Sequence, residues 1–139
     1  MIQKSYGQIF LKYLVSLPTY SEKGYTLPTL ANDLVFIGRK AGLTEKKNLT
    51  VATIYNWIRG SKIPFWAQVA SFELATRHGW RIIDKTDLND AVQIVLKRDK
   101  ATDEKRITSA LTERGLIIPQ PLVNDFALLL ENIGQSTWH

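Results

Sequence analysis

Seven successive segments of this chain place their apolar residues three and four positions apart. That period points to helices, because a half-buried strand alternates apolar and polar residues instead. Tyr6, Ile9, Phe10, Tyr13, Leu14 and Leu17 form the first stripe, with Ser5 as its expected cap and Pro18 as its stop. Leu27, Leu30, Ala31, Leu34, Ile37 and Ala41 form the second, closed by Gly42. The third helix is expected from a Thr50 cap through Arg59, with Gly60 past its end. The fourth covers Pro64 to His78 and closes at Gly79. Leu88, Ala91, Val92, Val95 and Leu96 mark a fifth, capped by Asp84 or Thr86. Thr102 is the expected cap of a sixth, which carries Ile107, Ala110 and Leu111 ahead of Gly115. Leu122, Phe126, Leu129, Leu130 and Ile133 mark a seventh, ending at Gly134. Only Leu116–Pro119 reads as extended. The expected fold is all-α, a small multi-helix bundle with short joints.

The chain has 139 residues, enough for one domain with a proper core and a small appendage. The best internal boundary is KRDKATDEKR, Lys97 to Arg106, which is highly charged and lacks large apolar residues. It predicts a body over 1–98 and a C-terminal helical extension over 99–139. Cysteine is absent, which excludes disulfides, thiolate catalysis and Cys-ligated zinc. No apolar run approaches the ~18 residues that span a bilayer, and the N-terminus has no signal-peptide pattern. A cytoplasmic protein without a membrane partner is expected. Lys and Arg number 18 against 13 Asp and Glu, a net charge of +5, which favours a polyanionic partner.

The cations are densest around the third helix. Arg39, Lys40, Lys46, Lys47, Arg59 and Lys62 face a single acid in that interval, Glu45. On a helical wheel Ile54, Trp57 and Ile58 share one face, and Ala52, Tyr55, Asn56 and Arg59 lie mainly on the other. Such a helix anchors by one side and displays small, flat or hydrogen-bonding groups on the other. Asn can bond adenine through N6 and N7, Arg can bond guanine or phosphate, and small apolar groups can touch a thymine methyl. A Thr50 cap leaves N–H groups at the helix N-terminus that favour phosphate. Ser61 and Lys62, in the turn that follows, can bond backbone oxygens and set a docking register.

NLTVATIYNWIRGSKIPFWAQVASFELATRHG, Asn48 to Gly79, resembles the recognition half of the Cro/repressor-type (XRE-like) helix-turn-helix family. Leu49, the Thr50 cap, Ile54, Trp57, Gly60, the basic turn Ser61–Lys62 and Pro64 fall in that family's order. Upstream, TLPTLANDL is similar to the helix that precedes the turn. The resemblance covers roughly Leu27 to Gly79 and implies a lambda-repressor-like helix-turn-helix with additional C-terminal helices. It implies that Val51, Ala52, Tyr55 and Asn56 meet base edges. It also implies that Thr50, Thr53, Arg59 and Lys62 touch phosphate, joined from the flanks by Ser61. Lys46 and Lys47 are either further phosphate contacts or a solvated loop. Two features depart from the family. The joint from Gly42 to Leu49 is longer than the usual three or four residues, and Val51 and Ala52 replace the common polar base readers.

The implied function is sequence-specific binding of double-stranded DNA by a transcriptional regulator of phage or mobile-element type. A homodimer would then span two half-sites. Its expected interface is Leu122, Phe126, Leu129, Leu130 and Ile133, which together with Ile107 and Leu111 make more apolar surface than two short helices hide alone. EKRITSALTERGLIIP, Glu104 to Pro119, fits either a glycine-capped amphipathic helix or part of a winged helix. No His cluster has metal spacing, no Gly-rich loop follows a strand, and no triad or carboxylate pair can be assembled. No enzyme activity, cofactor, metal or small-molecule ligand is expected. The rival functions are a helical protein-interaction module, such as an antitoxin-like adaptor, and a nonspecific nucleic-acid or RNA-binding domain.

Overall fold

The computed structural model describes residues 5–21, 27–100 and 103–137. Among them there are eight α-helices and no strand, so the fold is all-α. The helices are α1 (Gln8–Ser16), α2 (Pro18–Ser21), α3 (Leu27–Lys40), α4 (Val51–Ile58), α5 (Phe65–Arg77), α6 (Lys85–Asp99), α7 (Glu104–Glu113) and α8 (Val123–Thr137). A 3-10 turn, Gln120–Leu122, precedes α8. The chain forms two compact units, residues 1–80 and 81–139. Helix α6, which the sequence grouped with residues 1–98, packs with α7 and α8 in the second unit.

The first unit is built around α5. A helix apolar on most of its circumference belongs in the interior, and Trp66 through Phe72, with Leu74 and Ala75, are all buried. Helices α1 and α3 pack on it. Phe10 of α1 meets the Phe72 ring at 5.1 Å and the Trp80 ring at 4.7 Å. Both buried polar side chains of α5 donate locally. Gln68 Nε2 donates to the Ile63 carbonyl at 2.9 Å, and Ser71 Oγ donates to the Gln68 carbonyl at 3.0 Å.

Several helix ends differ from expectation. Ser5 does not cap α1: the cap position is Gly7, and Ser5 Oγ accepts the Ile63 N–H instead. Gly7 has φ 130°, a region that costs other residues strain, and it is buried against Gln68 and Ser71 of α5. With α1 starting at Gln8, its buried face becomes Phe10, Leu11 and Leu14, while Tyr6, Ile9 and Tyr13 are only half-buried. Pro18 stops α1 and also opens α2.

In the second unit Asp84 caps α6 in a reciprocal capping box with Asp87. Asp103 caps α7, its side chain accepting the Arg106 N–H at 2.9 Å; Thr102 lies outside the described residues. Gly134 does not end α8, which continues to Thr137. Leu116–Pro119 leads into the 3-10 turn and α8, so the wing of a winged helix, which needs strands, is missing among the described residues. Leu122, Phe126 and Ile133, expected at an oligomer interface, are buried within the chain; Leu129 and Leu130 are half-buried. On the surface of this unit Ile83, Ile117, Val123 and Leu128 are exposed.

Candidate nucleic-acid interface

Helix α4 is seated by a few strong anchors. Ile54 and Trp57 are buried, and the Trp57 ring meets Trp66 of α5 edge-on at 6.0 Å. Gln8 Nε2 of α1 donates to the Ile58 carbonyl at the helix C-terminus. At the N-terminus Thr50 has extended backbone geometry, and its Oγ1 accepts the Thr53 N–H at 3.2 Å. The Thr50 and Thr53 hydroxyls also bond each other at 2.7 Å, so both already have a local partner. The cap leaves the N–H groups of Val51 and Ala52 without an intrahelical acceptor.

The C-terminus is closed by the Gly60–Ser61 turn. Gly60 has φ 120°, and Ser61 N–H reaches back to the Asn56 carbonyl at 2.9 Å. Ile63 then buries itself, leaving Ser61 and Lys62 exposed on a turn pinned at its far end. Anchored in this way, α4 displays Ala52, Tyr55, Asn56 and Arg59, all exposed; Val51 and Thr53 are half-buried. Arg59 Nη2 donates to Asn56 Oδ1 at 2.9 Å, a pairing with no sequence signature beyond an i, i+3 spacing.

The joint before α4 spans residues 41–50, longer than the motif the sequence resembles. It leaves α3 through Gly42 (φ 74°), with Leu43 N–H bonded to the Gly38 carbonyl at 3.0 Å. Gly38, on the buried side of α3, is where α5 approaches. A Cβ there would lie 2.7 Å from the Trp66 ring and 3.0 Å from the Thr44 methyl. A glycine inside an apolar helix stripe signals such an approach. Beyond Thr44, Glu45, Lys46, Lys47 and Asn48 are exposed and in no regular secondary structure.

Arg39, Lys40, Lys46, Lys47, Arg59 and Lys62 are all exposed, and among the described residues none makes an ion pair. Lys40 sits 5.9 Å from the exposed Phe36 ring. In sequence the first unit holds ten Lys and Arg against four Asp and Glu, a net +6; the second holds eight against nine, a net −1. The whole positive excess therefore belongs to the unit that carries α4. A cleft of about 580 Å³ in the second unit is lined by both signs, including Asp99, Asp103, Lys105, Arg106 and Glu113. Several of those charges pair, as in Arg106–Asp103 at 3.6 Å and Arg114–Asp99 at 3.8 Å.

The remaining polar cluster of the first unit holds helices together. Tyr20 OH donates to Asp33 Oδ2 at 2.5 Å and lies 3.4 Å from His78 Nε2, and Tyr13 OH donates to the His78 carbonyl at 2.7 Å. Burial, then the hydrogen bond and the negative charge of Asp33, push the Tyr20 phenol well above its ordinary range. No group of three His, Cys, Asp or Glu among the described residues could hold a metal, and no described helix is long and apolar enough to cross a membrane. The chain matches no protein-family model, no curated protein and no solved structure.

Proposed function

We propose that this protein binds double-stranded DNA sequence-specifically and acts as a transcriptional regulator, with α4 lying in the major groove. One observation carries this reading: α4 is held rigidly by Ile54, Trp57 and Gln8, yet presents a narrow outer face amid six exposed, unpaired cations. Ala52 is small enough to let the helix approach base edges closely, and Tyr55, Asn56 and Arg59 supply flat and polar groups. Lys62 and Ser61, exposed in the turn after α4, would contact a phosphate flanking the groove, and Lys46 and Lys47 would extend the basic track along the joint. Two copies would span two half-sites about one helical turn apart. A phage or mobile-element regulator is the kind of protein this resemblance implies.

Selection of duplexes from a random pool by the purified full-length protein tests the reading. A shared motif should emerge, and Asn56→Ala should weaken the selected site by about 1–3 kcal/mol while changing random-duplex binding far less. If no motif emerges, the specific regulator is excluded. Binding to every duplex alike would point to a nonspecific nucleic-acid domain. No DNA affinity at moderate salt would point to a protein-interaction module, for which Ile117, Val123 and Leu128 offer exposed apolar groups.

A further inference from the structure

The hydrogen bond between Arg59 and Asn56 changes what the outer face of α4 can recognise. An Asn side chain reads adenine by accepting from N6 through Oδ1 while donating to N7 through Nδ2. Here the Oδ1 acceptor already receives Arg59 Nη2 at 2.9 Å. A guanidinium lying across that oxygen places positive N–H groups where the adenine amino group would approach, so donor would face donor. With one of the two Oδ1 lone pairs taken, what the pair offers outward is mainly donors: the Asn56 amide N–H groups and the remaining guanidinium N–H groups. Among major-groove edges, guanine alone presents two neighbouring acceptors, N7 and O6, with no donor of its own.

Arg59 is free to serve in this way. It makes no ion pair, and its backbone N–H already closes α4 on the Tyr55 carbonyl at 3.0 Å, so its side chain has no structural duty at the helix end. The bond also fixes two flexible side chains relative to each other before any ligand arrives, which lowers the ordering cost on binding.

We propose that Arg59 is a specificity-determining residue: by holding Asn56 Oδ1 it turns that side chain from an adenine reader into half of a donor-dominated pair matched to guanine. This rests on α4 entering the major groove, as proposed above. It gives Arg59 a different task from the phosphate contact that the family resemblance implies.

The test compares duplexes selected by the full-length parent, Arg59→Ala, Asn56→Ala and the double variant. The relevant base position is the one that loses discrimination in Asn56→Ala. The parent should prefer guanine there. Arg59→Ala, which frees Oδ1, should move the guanine-to-adenine ratio toward adenine by about 5- to 150-fold. In the Asn56→Ala background the same change should move that ratio hardly at all, because the two side chains act as a unit. Circular dichroism of each variant checks that α4 is retained. A parent motif with adenine at that position overturns the proposal. So does an Arg59→Ala variant that binds all duplexes equally more weakly with its base preference unchanged, the signature of a phosphate clamp. Absence of any motif in the parent would instead remove the DNA-reader function, and this proposal with it.

Discussion

The two units of this protein use nearly the same number of charged side chains to opposite effect. In the second, cations lie beside acids: Lys85 with Asp125 at 3.4 Å, Arg106 with Asp103, and Arg98 and Arg114 both with Asp99. In the first, six cations between Arg39 and Lys62 are exposed without an acidic partner. The exposed pairs among these, such as Arg106–Asp103, contribute little to stability. What pairing does is cancel the field. The first unit keeps its field, at a small cost in self-repulsion, and a polyanion is the partner that such a field attracts. Total charge would not have revealed this, because +5 is the sum over a unit near neutrality and one at +6.

The contrast can be broken at its foundation by unseating α4. Trp57→Ala removes a buried ring and its edge-on contact with Trp66, and should destabilise the protein by about 3–5 kcal/mol in urea unfolding. A loss under ~1 kcal/mol would mean that α4 is not anchored as described. Next in size is the effect of charge. Replacing Lys46, Lys47 and Lys62 together by Ala should weaken binding to any duplex at least ~10-fold and lower the salt slope by about 3. The matched control, Lys85→Ala with Arg106→Ala in the second unit, should leave DNA affinity within ~2-fold; equal losses in both sets would erase the difference between the units.

Two smaller effects sharpen the account of the first unit. By helix propensity alone Gly38→Ala should stabilise α3 by about 1 kcal/mol. The close Trp66 ring reverses the sign, and a net loss of about 1–3 kcal/mol is expected from thermal or urea melts. Tyr20 gives the smallest signal. Its raised folded pKa means that above about pH 10 the unfolded chain releases the phenol proton while the folded one retains it. Stability should therefore be unaffected by this group below pH 10 and fall as pH rises beyond it. Tyr20→Phe should flatten that alkaline slope, at a cost of about 1 kcal/mol at neutral pH for the lost hydrogen bond. An unchanged slope would show that the phenol ionises equally in both states.

Most of the architecture was legible in the sequence because it rests on local rules. Apolar spacing located the helices, and the Thr50, Gly42 and Gly60 punctuation marked the ends around α4 to within a residue or two. The inward and outward faces of α4 followed from the same period, and Ile54 and Trp57 lie inside as the wheel requires. Where expectation failed, a distant partner had intervened. Ser5 is a good cap residue, yet its hydroxyl serves Ile63, 58 positions away. Leu122, Phe126 and Ile133 looked surplus when counted against two short helices, but they are buried within the chain. Lys97 to Arg106 looked like a boundary by composition, whereas the compact units divide after Trp80.

By itself, then, the sequence determined the helical composition, the Thr50 cap that serves Thr53 three residues on, and the faces of α4. These are consequences of backbone geometry and side-chain period, and need no knowledge of what lies across the core. Only the tertiary structure decided that Gly38 is the space for Trp66, that Gln8 and Ser5 of the N-terminal segment secure the end of α4 and its turn, and that the six cations from Arg39 to Lys62 make no ion pair among the described residues. It also decided the Asn56–Arg59 pairing, because two polar residues at i, i+3 have many rotamers and the chain code does not choose among them. Proximity in space, not order along the chain, selects which polar group meets which, and recognition depends on that selection.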